Sequence, residues 1–379
     1  MTLPVDFDRF RRETRPFEAA LILPQPCWDK MPPGDRTAPP APVPVTGRRF
    51  TVCREDEPVP PAIAGAIAAI GNFDGVHFGH RALMAAVRET AGEVGRPAVA
   101  LTFEPHPRAY FAPHLPMFRL SDAAAKERVL ARLGLDGLIV RRFDAALAGM
   151  GARAFVEGLL VRDLGLSGVV VGHDFHFGRG REGTPAILAE LCADAGLSCR
   201  VISAVSLPPP ESFVSSSPVS PENVMDPVSS SAIRAALAEG DVARANALLG
   251  YRWFVSGVVQ HGDKRGRTLG YPTANVALRD CGLAHGIYAV RVALPDGTVW
   301  NGVASYGRRP TFDDGAPLLE VNLFDVARDL YGQSITVELV AHIRGEERFD
   351  SAESLIARMD IDAAQARAIL AADTVPSML

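Results

Sequence analysis

The chain has 379 residues, with 39 basic against 44 acidic side chains and 47% apolar residues, enough for a core in each of two domains. The slightly acidic balance argues against a protein built to hold nucleic acid, so a polyanion bound here should be small. No apolar run approaches bilayer length, and the five cysteines (Cys27, Cys53, Cys192, Cys199, Cys281) form no CxxC pair, which reads as reduced thiols.

Taken in chain order, residues 1–47 read as an extension. They carry Asp6, Asp8 and Glu13 in place of a basic-then-apolar leader, which points to the cytoplasm, and eight prolines between 24 and 44 make poor core material. From about residue 60 the pattern alternates. Apolar AIAAI, AVALTFEP, GLIVRRF and GVVVGHDF are separated by the helical segments HRALMAAVRETAGEV, AAAKERVLARLGL and AFVEGLLVRDL. Short apolar runs between helices imply a parallel sheet covered on both faces, with ligands at the carboxyl ends of the strands. GNFDGVHFGH (71–80), TFEPHP (102–107) and VGHDFHFG (171–178) all fall at such ends. Residues 208–228 are rich in Pro and Ser and read as a linker or long loop. After Gly250 the strands become short and β-branched, and a Pro-Asp-Gly turn at 295–297 joins two of them. This predicts a small antiparallel barrel followed by a helical tail.

His77 and His80 are three residues apart, so on the first turn of a helix their rings share a face. Gly75 and Gly79 allow close backbone approach, and a helix N-terminus favours anions. Two imidazoles there can donate to phosphate oxygens and hold the charge that develops during nucleotidyl transfer. A turn with two surface histidines has the same spelling, and a zinc site would need further ligands that the sequence does not place nearby. Pro105 and Pro107 make a rigid corner around His106. Asp174, just past GVVVG, suits either a cap or a substrate contact, and Ser230 and Ser231 before a helical segment with Arg234 suit an N-cap.

The stretch HGDKRGRTLGYPTAN (261–275) is no Walker loop, and its Lys264, Arg265 and Arg267 would by default be solvated. Thr273 and Asn275 are two apart in an extended segment, so both point the same way and can complete the oxygen shell of a hydrated Mg²⁺. Glu320 alternates against Leu319 and Val321 and therefore leaves the opposite face of its strand.

Together, GNFDGVHFGH, TFEPHPR, VVVGHDFHFGRGREG (169–183), SSSAIR (229–234) and GYPTAN resemble the prokaryotic bifunctional riboflavin kinase/FMN adenylyltransferases (FAD synthetases), from about residue 60 to the C-terminus. The resemblance implies an α/β nucleotidyltransferase domain with a Rossmann-like parallel sheet at 48–250, carrying 208–228 as an insertion. An antiparallel β-barrel riboflavin kinase domain would follow at 251–379. It further implies that His77 and His80 are catalytic and bind ATP phosphates beside the loop Gly71, Asn72, Phe73 and Asp74, and that Pro105 and Pro107 shape the nucleotide and flavin pocket. Asp174 would lie near substrate, while Ser230, Ser231 and Arg234 would clamp ATP, with Ser231 standing where Thr is usual. In the second domain Gly266 and Arg267 would bind ATP, Thr273 and Asn275 would hold Mg²⁺, and Glu320 would be the base acting on the terminal ribityl hydroxyl. Asn322 departs from a commoner histidine, and Ser305 from a frequent Asn. The implied reactions are riboflavin plus ATP to FMN, then FMN plus ATP to FAD and pyrophosphate. The rivals are an adenylyltransferase-fold enzyme with another substrate, which the GYPTAN stretch opposes, and a flavin-binding regulator, which the full set of site residues opposes.

Overall fold

The computed structural model describes residues 49–55, 57–115, 117–204, 228–261, 271–278, 280–308, 317–326, 328–373 and 377–379. The expectations for residues 1–47, for 208–227 and for Gly266 and Arg267 lie outside the described residues. Contacts divide the chain into two compact units, Met1–Leu115 with Lys126–Pro227, and Pro116–Ala125 with Val228–Leu379.

In the first unit, β1 (Thr51–Arg54), β2 (Ile67–Ile70), β3 (Ala98–Glu104), β4 (Gly137–Arg142), β5 (Gly168–Gly172) and β6 (Ser198–Ile202) form one sheet. Its order is β1-β4-β3-β2-β5-β6 and every pairing is parallel. The central strand β2 reads IAAI and is buried throughout, as expected of a strand covered on both faces. The main helices are α1 (Phe78–Glu93), α2 (Pro107–Phe111), α3 (Ala123–Arg132, whose first three residues group with the second unit), α4 (Phe155–Asp163) and α5 (Pro185–Asp194). Helix α1 buries Leu83, Met84, Val87 and Ala91, one apolar stripe at helical spacing. Helix α4 is a widened, π-type turn, and at its end the Leu164 N–H reaches the Leu159 carbonyl at 3.0 Å. The core joins Ile70, Val99, Leu101, Ile139, Val169 and Val171 from the strands to Leu160 and Leu188 from the helices.

Chain order and strand order together place the site. From β2 the chain steps outward to β3 and β4, then returns to β5 on the other side of β2. That reversal opens a crevice beyond the carboxyl ends of β2 and β5. GNFDGVHFGH leaves β2 and His173–Asp174 leave β5, so both segments end at the crevice.

In the second unit, β7 (Phe254–Gln260), β8 (Ala274–Ala277), β9 (Gly286–Ala293), β10 (Val299–Arg308), β11 (Pro317–Leu323) and β12 (Ser334–Arg344) close into a barrel of order β10-β11-β8-β7-β12-β9. All of its ladders are antiparallel. The Pro-Asp-Gly turn brings Val299 opposite Ala293. The tail is the long helix α8 (Ala352–Ala372), which packs against β9, β10 and β12.

The units divide elsewhere than at residue 250. Helices α6 (Ser230–Ala238) and α7 (Val242–Leu249) belong with the barrel. The Asn246 amide donates to the Leu339 carbonyl at 3.0 Å and its oxygen accepts the Trp253 N–H at 2.7 Å, tying α7 to β12 and to the start of β7. The short segment 116–125 joins this unit as well. The Trp253 indole N–H donates to Leu120 O at 2.7 Å, and the Phe118 ring meets Trp253 edge-on at 5.6 Å.

Candidate active sites

The first site is built on the β2–α1 turn. Phe73 and Val76 are buried yet carry positive φ (49° and 27°), and Gly75 carries φ 82°. Side chains rarely adopt such values, so the loop is held by its surroundings, a common property of functional loops. His77 caps α1, and its Nδ1 accepts the His80 N–H at 3.4 Å. The two imidazoles stack with centroids 3.8 Å apart and 17° between planes, and the Phe73 ring meets His80 edge-on. Gly79 makes room for this stack, because a Cβ there would sit 3.2 Å from Cε1 of His77. The close approach it permits is therefore to a side chain of its own chain.

Burial draws His77 down to about 4, against the opposing fields of Asp174 and Asp74. His80 is held well below its ordinary value by burial first, then by His77 and Lys126. His80 is half-buried as a residue, but its Nδ1 is sealed and makes no hydrogen bond among the described residues. Both rings are thus neutral near pH 7 and serve as N–H donors. With Nδ1 of His77 occupied as an acceptor, its proton resides on Nε2.

Asn72, Phe73, Asp74, His77, His80 and Asp174 are brought together at the crevice. Gly71 starts the loop, donating its N–H to Leu101 O at 3.1 Å. Pro105 follows a cis peptide at the end of β3, and Pro107 is the first residue of α2, whose cap is Nδ1 of His106 accepting the Arg108 N–H at 3.1 Å. Ser230, Ser231 and Arg234 stand on α6 in the second unit. The capping hydroxyl there is that of Ser229, which accepts the Ala232 N–H, and Arg234 Nε donates to Phe118 O at 2.6 Å.

Two groups at this site escaped the sequence reading. Lys126 is 2% exposed, and its ammonium donates to Asn72 O at 2.9 Å and pairs with Glu104 at 3.1 Å. The signal was present. Lys126 occupies the apolar stripe 126, 129, 130, 133 of α3, where a charge is out of place. The second group is an aromatic cluster, Tyr110, Phe111 and Phe143, whose rings meet edge-on at 5.2–5.6 Å. Phe111 is 67% exposed, an unusual cost for a large apolar ring.

The second site lies on β8 and β11. Glu320 pairs directly with Asn275 across the ladder, and Ser305 of β10 faces Glu320 from the other side. Leu319 and Val321 are fully buried, so the alternate residues Glu320 and Asn322 leave the other face, which Asn275 and Thr273 share. The Asn322 amide donates to the Pro272 carbonyl at 2.9 Å, which extends the β11–β8 pairing to the residue before Thr273. That contact is what an uncharged residue does at this position. Just before it, the Tyr271 hydroxyl donates to Asp360 of α8, and burial together with that carboxylate pushes the phenol up to about 12.

An α/β unit with a stacked histidine pair at a strand switch point, joined to a six-stranded barrel carrying GYPTAN against a glutamate, defines a nucleotidyltransferase fold coupled to a flavokinase fold. Residues 60–217 match the family model described as FAD synthetase and residues 249–370 that of riboflavin kinase. The chain is 40% identical over 304 residues to the bifunctional riboflavin kinase/FMN adenylyltransferase of Escherichia coli (strain K12), covering 80% of this chain and 92% of that protein. It is 33% identical to the corresponding Bacillus subtilis (strain 168) protein over 309 residues, again 80% and 92% of the two chains. A crystal structure described as a macrolide-efflux protein from Streptococcus pneumoniae superposes with a TM-score of 0.71 at 28% identity, covering 83% of this chain and 98% of that one. The chain belongs to the bifunctional riboflavin kinase/FMN adenylyltransferase family.

Proposed function

We propose that this chain makes FAD from riboflavin in two ATP-dependent steps, the kinase step on the barrel at Glu320 and the adenylyl transfer on the parallel-sheet unit at His77 and His80. The observation that carries the reading is the pairing of a stacked, neutral His77–His80 couple at the switch point with a Glu320–Asn275 pair on a separate barrel.

In the kinase step the terminal ribityl hydroxyl attacks the γ-phosphorus of ATP while Glu320 accepts its proton, giving FMN and ADP. The residues present fit a Mg²⁺ ion. The Thr273 hydroxyl and the Asn275 amide are hard oxygen donors, and no cluster of three His, Cys, Asp or Glu suited to a metal occurs among the described residues. Mg²⁺ usually keeps several waters and takes few protein ligands besides substrate phosphates, which two side-chain oxygens suit. Held by Thr273 and Asn275, it would offset the charge of the ATP phosphates. Gly266 and Arg267 complete the ATP loop in this reading.

In the adenylyl step a phosphate oxygen of FMN attacks the α-phosphorus of ATP and pyrophosphate leaves. His77 and His80 donate N–H to the phosphates as charge shifts to the leaving group, while the fields of Asp174 and the buried Asp74 reach His77. The exposed Tyr110–Phe111 face, just past the Pro105–Pro107 corner, offers the flavin ring a stacking platform. Ser230, Ser231 and Arg234 act on the ATP phosphates in this reading. No helix among the described residues is long and apolar enough to cross a membrane, and free Cys53, Cys192, Cys199 and Cys281 suit a reducing cytoplasm.

The test is incubation of the purified chain with riboflavin and ATP, with and without Mg²⁺, and separation of the flavins by chromatography. FMN followed by FAD, both only with Mg²⁺, is the expected result. Unchanged riboflavin would reject the reading.

A further inference from the structure

The chain uses arginine for 36 of its 39 basic side chains and has only three lysines, Lys30, Lys126 and Lys264. One of the three is sealed beneath the β2–α1 loop. The Lys126 ammonium meets Asn72 O at 2.9 Å, Thr102 Oγ1 at 3.5 Å and Glu104 Oε1 at 3.1 Å. Thr102 also donates to the Asn72 carbonyl, at 3.1 Å, so two donors converge on the second residue of the loop that leads to His77.

We propose that Lys126 is a positioning residue for adenylyl transfer, a sealed cation that fixes the Asn72 carbonyl from below and supplies positive potential to the triphosphate side of the crevice. The inference rests on the adenylyl-transfer reading of the His77–His80 site. Three observations carry it. Replacing a buried ion pair by apolar groups is often neutral or stabilising, so stability alone gives little reason for an ammonium in this stripe of α3. The carboxylate that pairs with it, Glu104, is 31% exposed whereas Lys126 is 2% exposed, so the cation is the more deeply enclosed partner. Finally, the two imidazoles carry no charge near neutral pH, yet the field of Lys126 reaches His80. The imidazoles therefore leave the triphosphate's charge to other groups, and Lys126 joins the α1 N-terminus and the proposed Arg234 clamp in meeting it. The neighbouring cation Arg81 lies over the Phe78 ring at 5.0 Å.

The experiment compares Lys126→Met, Lys126→Gln and Lys126→Arg in the full chain. FMN-to-FAD turnover, riboflavin-to-FMN turnover and calorimetric binding of inorganic pyrophosphate are measured for each. Lys126→Met is expected to slow FAD formation about 10²-fold, the scale of a lost preorganised donor, and to leave FMN formation within about twofold. Lys126→Gln, which keeps a donor for Asn72 O but no charge, is expected to bind pyrophosphate about tenfold more weakly. Lys126→Arg is expected to retain most of that affinity. A folded Lys126→Met that makes FAD within twofold of the parent overturns the inference. So does equal pyrophosphate affinity in the Gln and Arg variants, a comparison that remains available if the Met variant fails to fold. His80→Ala is run alongside. If it leaves FAD formation intact, the site reading itself is wrong, whereas a loss there with none at Lys126 removes only the lysine.

Discussion

His77 spends its Nδ1 on the first turn of its own helix, and that bond decides what the residue can do. Only Nε2–H is left to donate, and burial keeps the ring from charging until about pH 4. The expected NMR titration of the His77 imidazole has a midpoint about 4, and a midpoint above 6 would contradict the account. The linkage has a sign. A histidine whose folded value is depressed adds stability that is complete above its ordinary value and is lost as pH falls from 6.5 toward 4. Acid weakening of the first unit in that window is the corresponding outcome in pH-dependent melting. At the second site, Asn322→Ala frees the Pro272 carbonyl. The loss is expected to be about 1 kcal/mol, or some five-fold in the kinase kcat/KM for ATP, with FMN-to-FAD turnover unchanged and recovery in Asn322→Gln. An unaltered kinase rate would show that this hydrogen bond positions nothing. The histidine pair, the GNFD loop and the GYPTAN stretch were legible because each is a local spelling, whereas the pairing of Asn275 with Glu320, 45 residues on, came only with the fold. The misplaced charge of Lys126 stood in the sequence, but its role did not, since that depends on Asn72 and Glu104, both more than twenty residues away.

Helix α8 shows what an element contributes beyond its own sequence. Its residues read only as a helical tail rich in Ala, Arg and Asp, yet it is pinned to β12 by a nearly sealed ion pair. Arg344 gives Nε and Nη2 to the carboxylate of Asp362, the latter at 2.6 Å, and Arg358 adds a contact at 3.4 Å. The same helix holds Tyr271 through Asp360, one residue before Pro272. Asp362→Ala leaves Arg344 enclosed without its carboxylate and should cost about 3–5 kcal/mol of barrel stability. Urea unfolding followed by tryptophan fluorescence reads this, because Trp253 and Trp300 both lie in the barrel unit. A change below about 1 kcal/mol would mean the pair is solvated and dispensable. Strand and helix types follow from periodicity: β2 to β5 are short apolar runs, and β11 alternates buried and half-buried residues from Leu318 onward. What periodicity lacks is partner choice. Nothing in Phe118 or Leu120 announces that they pack with Trp253, and nothing in α7 shows that Asn246 bonds β12, so the division of units was beyond reach of the sequence.

At the scale of the molecule, two chemistries occupy two folds on one chain. The parallel sheet places the stacked His77–His80 pair at its switch point, and the barrel places Glu320 across a ladder from Asn275, with adenylyl transfer proposed for the first and phosphorylation for the second. Residues 1–47 precede both family matches, the first of which begins at residue 60, and their proline content gives little to pack. A chain starting near Arg48 should therefore keep both activities, and a folded truncation that makes no FAD would contradict this. The claim that the reactions are separate is tested most directly by giving His80→Ala and Glu320→Gln riboflavin in one tube and FMN in another, each with Mg-ATP. His80→Ala should lose about 2–4 kcal/mol of transition-state stabilisation in adenylyl transfer, so riboflavin becomes FMN and stops there. Glu320→Gln should slow FMN formation by about 10²–10⁴ and still convert supplied FMN to FAD. Loss of both conversions in either variant while it remains folded would contradict two independent sites.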